Sequence, residues 1–146
     1  MSRPGRLALA LRVARRLPLA VEAVLAQIAA SAVVRLLPPS RTTRILAMPA
    51  RRRRPPRTGD VAREAQRVGR MVERVARHLP WHPVCLPQAL ATRWLLQRRG
   101  IRCVTHLGVV ETRPLAAHAW VTVDTRVVQG GAVTTATEVA RFSSAA

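Results

Sequence analysis

Apolar residues recur at helical spacing in the first third of the chain. Residues 4–16 form a basic stretch that predicts a short helix. Pro18 is expected to begin a second helix, because proline is tolerated in a first helical turn. That largely apolar helix is predicted to end at Leu37, before Pro38 and Pro39. A shorter helix is expected over residues 40–48.

The middle of the chain predicts two more helices, which follow a linker rich in Arg and Pro. The linker covers residues 49–59, and Asp60 is placed to cap the next helix. The second helix is predicted from Cys85 to about Arg99, with Gly100 as its stop. The first ends at His78 or Leu79, and its apolar face consists of Val61, Ala65, Val68, Val72, Val75, Ala76 and Leu79.

The last third predicts short strands. Residues 105–111 and 116–123 read as strands, and Asp124-Thr125 is a plausible tight turn into a returning strand over residues 126–129. Gly130-Gly131 is expected to end that strand, and a short helix is expected around residues 137–142. Helices followed by a small antiparallel sheet predict an α+β fold.

Composition and charge narrow the classes of protein that remain. At 146 residues, one domain is the natural expectation. The net charge is +18, every basic residue is Arg, and such a charge attracts nucleic acid, anionic membrane or an acidic partner. For most arginines we favour ordinary solvated faces. The run Arg51–Arg57 is the exception, and it fits a docking patch or a flexible linker equally well.

The segment from Pro18 to Leu37 approaches the length of a membrane span. Glu22 and Arg35 are costly in lipid, so we interpret it as a buried or partner-facing helix, with membrane association as the minority interpretation. The two cysteines make neither a disulfide framework nor a zinc spacing. We therefore expect no metal, no cofactor and a cytoplasmic location.

Cys85 and His118 carry the candidate chemistry. Cys85 precedes an apolar helical stretch, which places its thiol in the first helical turn, and His118 lies 33 residues later in a predicted strand. Unpaired amides at a helix N-terminus favour the thiolate, which is the nucleophilic form. A nearby imidazole can take the thiol proton, and the same amides can receive an oxyanion.

A structural role is the competing interpretation for each residue alone. A lone cysteine is usually a small buried hydrophobe, and a lone strand histidine is usually structural. The order, spacing and context of Cys85 and His118 together favour catalysis. Trp81 and His82 are candidates to line a cleft near the thiol, although Trp81 could simply pack under the helix start. Trp120 is expected in the core or the cleft wall, and Cys103 and His106 are expected to be structural.

The segment from about Arg77 to Gly131 resembles the leader peptidases of lasso-peptide biosynthesis. The matching elements keep their order and spacing over more than a third of the chain. They are Leu79-Pro80, Cys85-Leu86, Leu95-Leu96-Gln97-Arg98-Arg99-Gly100-Ile101, Leu107-Gly108-Val109 and Ala117-His118-Ala119-Trp120-Val121.

The resemblance implies a papain-like, transglutaminase-like cysteine protease core, a catalytic helix plus a small antiparallel sheet preceded by N-terminal helices. Residues 60–146 would form this core, after an N-terminal helical region and linker over residues 1–59. The substrate would be a lasso-peptide precursor, cut between leader and core with Cys85 as nucleophile and His118 as general base and acid. We expect the split form of the family, which would need a separate leader-recognition protein. The lasso cyclase is a further candidate partner.

The third catalytic member is where the sequence departs from that family. The family has an Asp about a dozen residues beyond the His, and the segment 127–131 holds no acid here. On a straight strand, Asp124 would lie about 20 Å from His118. If Asp124-Thr125 is a turn, residues 129–131 return beside His118. We therefore rank the Gln129 amide first and Asp124 second, and a backbone carbonyl or water stays open.

Two other classes of function remain. One is a basic protein that binds nucleic acid or a membrane surface through Arg51–Arg57. That segment lacks interleaved aromatic residues, and the chain lacks a nucleic-acid motif, so we expect no nucleic-acid partner. The other is a thiol acyltransferase on the same fold, such as a transglutaminase.

Overall fold

A computed structural model describes residues 4–49, 61–131 and 135–144. The predicted Asp60 cap and the run Arg51–Arg57 lie outside these residues. In chain order the elements are α1 (Pro4–Leu36), α2 (Pro39–Ala47), α3 (Val61–His78), α4 (Cys85–Arg98), β1 (Val104–Val110), β2 (Ala116–Val123), β3 (Arg126–Gln129) and β4 (Ala136–Ser143).

Helix α4 lies at the centre of the fold. It packs against α1 and α3 on one side and against β2 on the other. Its residues are buried almost all round, which is the pattern of a core helix. Gly100 follows it with a φ of 69°, the left-handed conformation that glycine adopts after a helix C-terminus. Gly100 thus marks the end of the helix, and the first residue of the helix is Cys85.

The four strands form one antiparallel sheet in the order β3-β2-β1-β4. The predicted hairpin is confirmed, since Asp124 adopts a φ of 53° in the turn between β2 and β3. Ala119, Val121 and Val123 of β2 join the core cluster with α4. Because side chains alternate along a strand, His118, Trp120 and Thr122 point to the opposite face of the sheet.

The predicted break at Pro18 is wrong, because one helix continues from Pro4 to Leu36 with Pro18 inside it. Proline removes one backbone hydrogen bond from a helix interior. Packing offsets that loss here, since Leu19, Ala23 and Ala30 are buried in the core shared with α3 and α4.

The segment Pro18–Leu36 is long and apolar enough to cross a membrane by length and composition. In this structure one side of it is covered by α3 and α4, and Glu22 pairs with Arg99 at 2.8 Å. Val21, Leu25, Ile28 and Leu36 are exposed on its other side. The helix thus has a core face and an apolar outer face.

The predicted helix around residues 137–142 is also wrong, because this segment is strand β4. It pairs with the free edge of β1 along the whole strand, with one register shift between Leu107 and Gly108. Hydrogen bonding to the otherwise unpaired backbone groups at the edge of β1 outweighs the helix propensity of Glu138, Ala140 and Arg141. Ser144 follows the strand, and its N–H donates to the Cys103 carbonyl while its hydroxyl oxygen accepts from the Cys103 N–H.

Candidate active site

The predicted nucleophile lies at the start of α4. Val84 is extended and precedes Cys85, the first helical residue, so the Cys85 amide has no partner within the helix. His82 turns the chain into this position with a φ of 40°, and its amide donates to the Leu79 carbonyl. The Cys85 thiol is half-buried and lies 3.7 Å from the carbonyl oxygen of Ala117. The predicted helix-terminal thiol is therefore next to the β2 backbone, one residue from His118.

His118 is held by a backbone carbonyl. Its Nε2 lies 2.8 Å from the Gly130 oxygen. A carbonyl oxygen can only accept, so Nε2 must carry the proton. In the neutral ring the acceptor is then Nδ1, which can take the proton of a thiol. The hydrogen bond to Gly130 fixes the tautomer that a general base beside a cysteine requires.

The His118 ring rests on Trp120. Their ring centroids are 5.8 Å apart, and His106 stacks on the indole at 5.1 Å with nearly parallel planes. His106 faces Trp120 across the strands, and Gly108 faces His118. A Cβ on Gly108 would lie 3.0 Å from the indole Cζ3, so this glycine leaves room for the stack. Trp120 is 5% exposed and is part of the packed floor under the imidazole.

Gly130 is the point at which α3 meets the site. Its N–H donates to Glu73 Oε1 at 3.0 Å, while its carbonyl accepts from His118. Its φ is 105°, a conformation that side chains rarely adopt. A Cβ here would lie 2.5 Å from the Trp120 Cβ. Position 130 thus has no room for a side chain and contributes its main chain instead.

The two predicted third members do not contact His118. Gln129 pairs with Val121 across the hairpin, three residues along β2 from His118. Its side chain is 2% exposed, and its Oε1 has no hydrogen-bond partner among the described residues. Asp124 lies in the hairpin turn, six residues along the strand from His118. The bulge between Val121 and Thr122 sets the register that brings the Gly130 carbonyl to the imidazole instead.

Trp81 and His82, which were predicted to line a cleft near the thiol, lie in different surroundings. The Trp81 indole N–H donates to Ser31 Oγ of α1 at 3.0 Å, so the side chain of Trp81 is anchored on α1. His82 is exposed in the turn before Cys85. Gln88, one turn into α4, donates its side-chain amide to the Pro83 carbonyl at 2.7 Å. These contacts fix the loop that leads into α4.

The other cysteine and histidine lie outside the site. Cys103 is 2% exposed, and burial raises the pKa of its thiol. His106 bonds Glu138 through Nδ1 and Thr122 through Nε2, and it lies on the far side of Trp120 from His118. Hydrogen bonding to His106 lowers the pKa of the Glu138 carboxyl. In the described parts of the chain, no three His, Cys, Asp or Glu residues are grouped to hold a metal ion.

A comparison with protein families identifies the fold. The profile of the transglutaminase-like superfamily matches residues 24–144, nearly the whole chain. The chain belongs to the transglutaminase-like superfamily. The predicted α+β class with N-terminal helices is thereby confirmed. No curated protein and no solved structure matches the chain.

This transglutaminase-like chain belongs to a superfamily that generally includes cysteine proteases and transglutaminases. Two parts of its site were not among the predicted residues. Glu73 is on α3, beside the inward-facing Val72 and one helical turn after Gly69. The sequence feature that could have indicated its role is a carboxylate next to the apolar face of this helix. The Gly130 carbonyl falls within the returning segment 129–131 and under the backbone-carbonyl alternative left open above, but no side-chain signal singles it out.

Proposed function

We propose that this protein is a cysteine peptidase that removes the leader from a lasso-peptide precursor. The observation that carries the proposal is the paired arrangement of the two candidate residues. The Cys85 thiol touches the carbonyl of Ala117 at a helix start, and the neighbouring His118 is fixed by Gly130 in the tautomer with Nδ1 unprotonated. The ordered sequence elements that resemble the leader peptidases supply the substrate class.

In the proposed reaction, Cys85 attacks the scissile carbonyl carbon and His118 Nδ1 takes the thiol proton. The tetrahedral oxyanion is received by the Cys85 amide at the first turn of α4. The C–N bond then breaks, and the imidazolium gives its proton to the leaving amine. Water activated by His118 hydrolyses the thioester, which releases the leader as a carboxylic acid and regenerates the thiol.

The reaction needs the precursor to be delivered to the thiol. We propose a separate leader-recognition protein as the partner, with the lasso cyclase consuming the freed core peptide, and a cytoplasmic setting. The exposed apolar side chains on α1, Val21, Leu25 and Ile28, are available to such a protein.

The test is mass spectrometry of a candidate precursor incubated with the protein and its leader-binding partner. Cys85→Ala is the inactive variant, and Cys103→Ala is the matched control because that thiol is buried away from the site. We expect one cut at the leader–core junction with wild type and Cys103→Ala, and none with Cys85→Ala. An intact precursor after confirmed leader binding would contradict the peptidase proposal.

A thiol acyltransferase is the second candidate, because the superfamily contains transglutaminases and their first step is the same acyl-enzyme. The same experiment with an added primary amine separates the two. Hydrolysis adds one water to the acyl fragment, whereas acyl transfer adds the amine. An amine adduct that depends on Cys85 would favour the acyltransferase.

A further inference from the structure

We propose that Glu73 is the positioning residue that sets the orientation of His118, acting through the main chain of Gly130. The inference rests on the proposed use of His118 as the base for Cys85. It assigns to a residue of α3 the task that an Asp performs in the resembling family.

The contacts form a continuous chain of hydrogen bonds. Glu73 Oε1 accepts the Gly130 N–H at 3.0 Å, and the Gly130 oxygen accepts the His118 Nε2–H at 2.8 Å. The two bonds fix both polar groups of one residue. Gly130 has a φ of 105°, at the end of β3, where the ladder of backbone hydrogen bonds stops. The Glu73 carboxylate therefore replaces the strand partner that would otherwise hold this residue.

Geometry excludes a side chain of residue 130 from the same role. A Cβ there would lie 2.5 Å from the Trp120 Cβ and 2.8 Å from its Cα. The imidazole is thus oriented by the Gly130 carbonyl. The position of that carbonyl depends on how firmly the backbone of Gly130 is held. Glu73 is half-buried and belongs to a helix that packs directly on β3. A rigid helix is a precise support for a residue outside regular structure.

The hydrogen bond, rather than the charge alone, is the predicted contribution. Glu73→Gln keeps an oxygen that can accept the Gly130 N–H, whereas Glu73→Ala leaves that N–H without it. Glu64→Ala is the matched control, because Glu64 is on the same helix and pairs with Arg67 and Arg99 instead. Glu73→Ala and Glu64→Ala thus remove the same type of residue from the same helix, and only Glu73→Ala removes the contact with Gly130.

The readout is the rate at which iodoacetamide alkylates Cys85, followed from about pH 5 to pH 9, where thiolates form. The groups near the imidazole that titrate are Cys85 and Glu73, with His106 and Glu138 beyond Trp120. We expect Glu73→Ala to lower the rate at neutral pH about ten-fold and to move the midpoint of the profile upward. Glu73→Gln should stay within about three-fold of wild type, and Glu64→Ala should keep the wild-type profile.

A wild-type profile in Glu73→Ala would overturn the proposal, and so would a Gln variant as impaired as the Ala variant. If Glu73→Ala does not fold, hydrogen exchange of the Gly130 amide decides instead. That amide should be protected in wild type and in Glu73→Gln, and an unprotected amide in folded wild type would also overturn it. Alkylation needs no peptide, so loss of leader cleavage with a normal alkylation profile would count against the proposed function alone.

Discussion

The two cysteines differ in their surroundings more than in their chemistry. Cys85 is half-buried at a helix start, where the first amide of the helix has no intrahelical partner. Cys103 is almost fully buried, and burial raises the pKa of its thiol because the thiolate loses hydration. Desolvation outweighs two influences that lower this pKa, hydrogen bonding with Ser144 and, after it, the charge of Arg93. One thiol is thus placed to react and the other to pack.

We predict that iodoacetamide labels Cys85 and leaves Cys103 unlabelled in the folded protein. At neutral pH the Cys85 rate should exceed that of Cys103 by at least about a hundred-fold, because the reagent needs an accessible thiolate. Peptide mapping by mass spectrometry measures both sites in one sample.

The control for that experiment is the same protein in a denaturant, in which both thiols should react at similar rates. A Cys85→Ala variant should take up no label until it unfolds. Comparable labelling of Cys103 in the folded state would contradict the prediction.

At the scale of residues, the sequence predicts which side chains lie at the site better than it predicts which main-chain groups contact them. The helix start at Cys85 and the strand around His118 were predicted, because prolines and apolar spacing mark both. For the partner of the imidazole, the sequence ranks the Gln129 amide above a backbone carbonyl, whereas His118 Nε2 bonds the Gly130 carbonyl, because counting along the hairpin ignores the bulge between Val121 and Thr122. A backbone carbonyl carries no residue-type signal, so the sequence leaves this alternative open and the structure identifies Gly130.

At the scale of elements, the approach of α3 to β3 decides the geometry of the site. At Gly69 the helix lies directly against β3, because a Cβ on this residue would lie 1.8 Å from the Val128 oxygen. Glu73 is one helical turn later and therefore reaches Gly130. A glycine inside a helix costs stability, and here it permits the contact that supports His118.

We predict that Gly69→Ala lowers the free energy of unfolding by about 2 to 3 kcal/mol, because an added methyl must push the helix away from the strand. Urea denaturation measures the loss. Arg74→Ala on the exposed side of α3 is the matched control and should change stability by less than about 0.5 kcal/mol.

The same Gly69→Ala variant should also react more slowly at Cys85, since the movement separates Glu73 from Gly130. A folded variant with the wild-type alkylation rate would contradict this prediction, and it would mean that β3 moves together with α3 so that the contact between Glu73 and Gly130 is kept.

Helices were predicted more accurately than β4. The bounds of α3 and α4 follow from apolar spacing, Pro80 and Gly100, all of which act locally. The segment Ala136–Ser143 has residues of mixed propensity, and its conformation is decided by the unpaired edge of β1. A tertiary partner about thirty residues away in sequence leaves no local pattern to detect.

At the scale of the molecule, acidic residues are scarce and are used as connectors. The chain has seven of them against 25 arginines. Arg99 at the end of α4 binds Glu22 of α1 and Glu64 of α3, and so joins three helices. The other acids with assigned contacts in the described residues are Glu73, at Gly130, and Glu138, at His106 and Arg141.

The net charge of +18 predicts a protein that added salt stabilises. Repulsion between exposed arginines is screened as the Debye length falls from about 30 Å at 0.01 M salt to about 8 Å at physiological ionic strength. We predict a Tm that rises by several degrees over that range.

Scanning calorimetry in sodium chloride measures this, and a variant with Arg44→Gln and Arg74→Gln should show a smaller rise because both side chains are exposed. A Tm that falls with salt would mean that pairs such as Arg99 with Glu22 and Glu64 outweigh the repulsion.

The Gly130 carbonyl has a consequence for genetics. Replacing a residue changes its side chain and leaves its main-chain oxygen in the chain, so a point mutation at position 130 can displace this partner of His118 but cannot delete it. On the proposed mechanism, an alanine scan would return Cys85 and His118 as indispensable and Glu73 as a weaker third position. A survey that requires an acid after the histidine would class the protein as inactive. Searches for active members among such sequences should therefore look for a hydrogen-bond acceptor beside the histidine in the structure, and should not require an acidic residue at one position of the sequence.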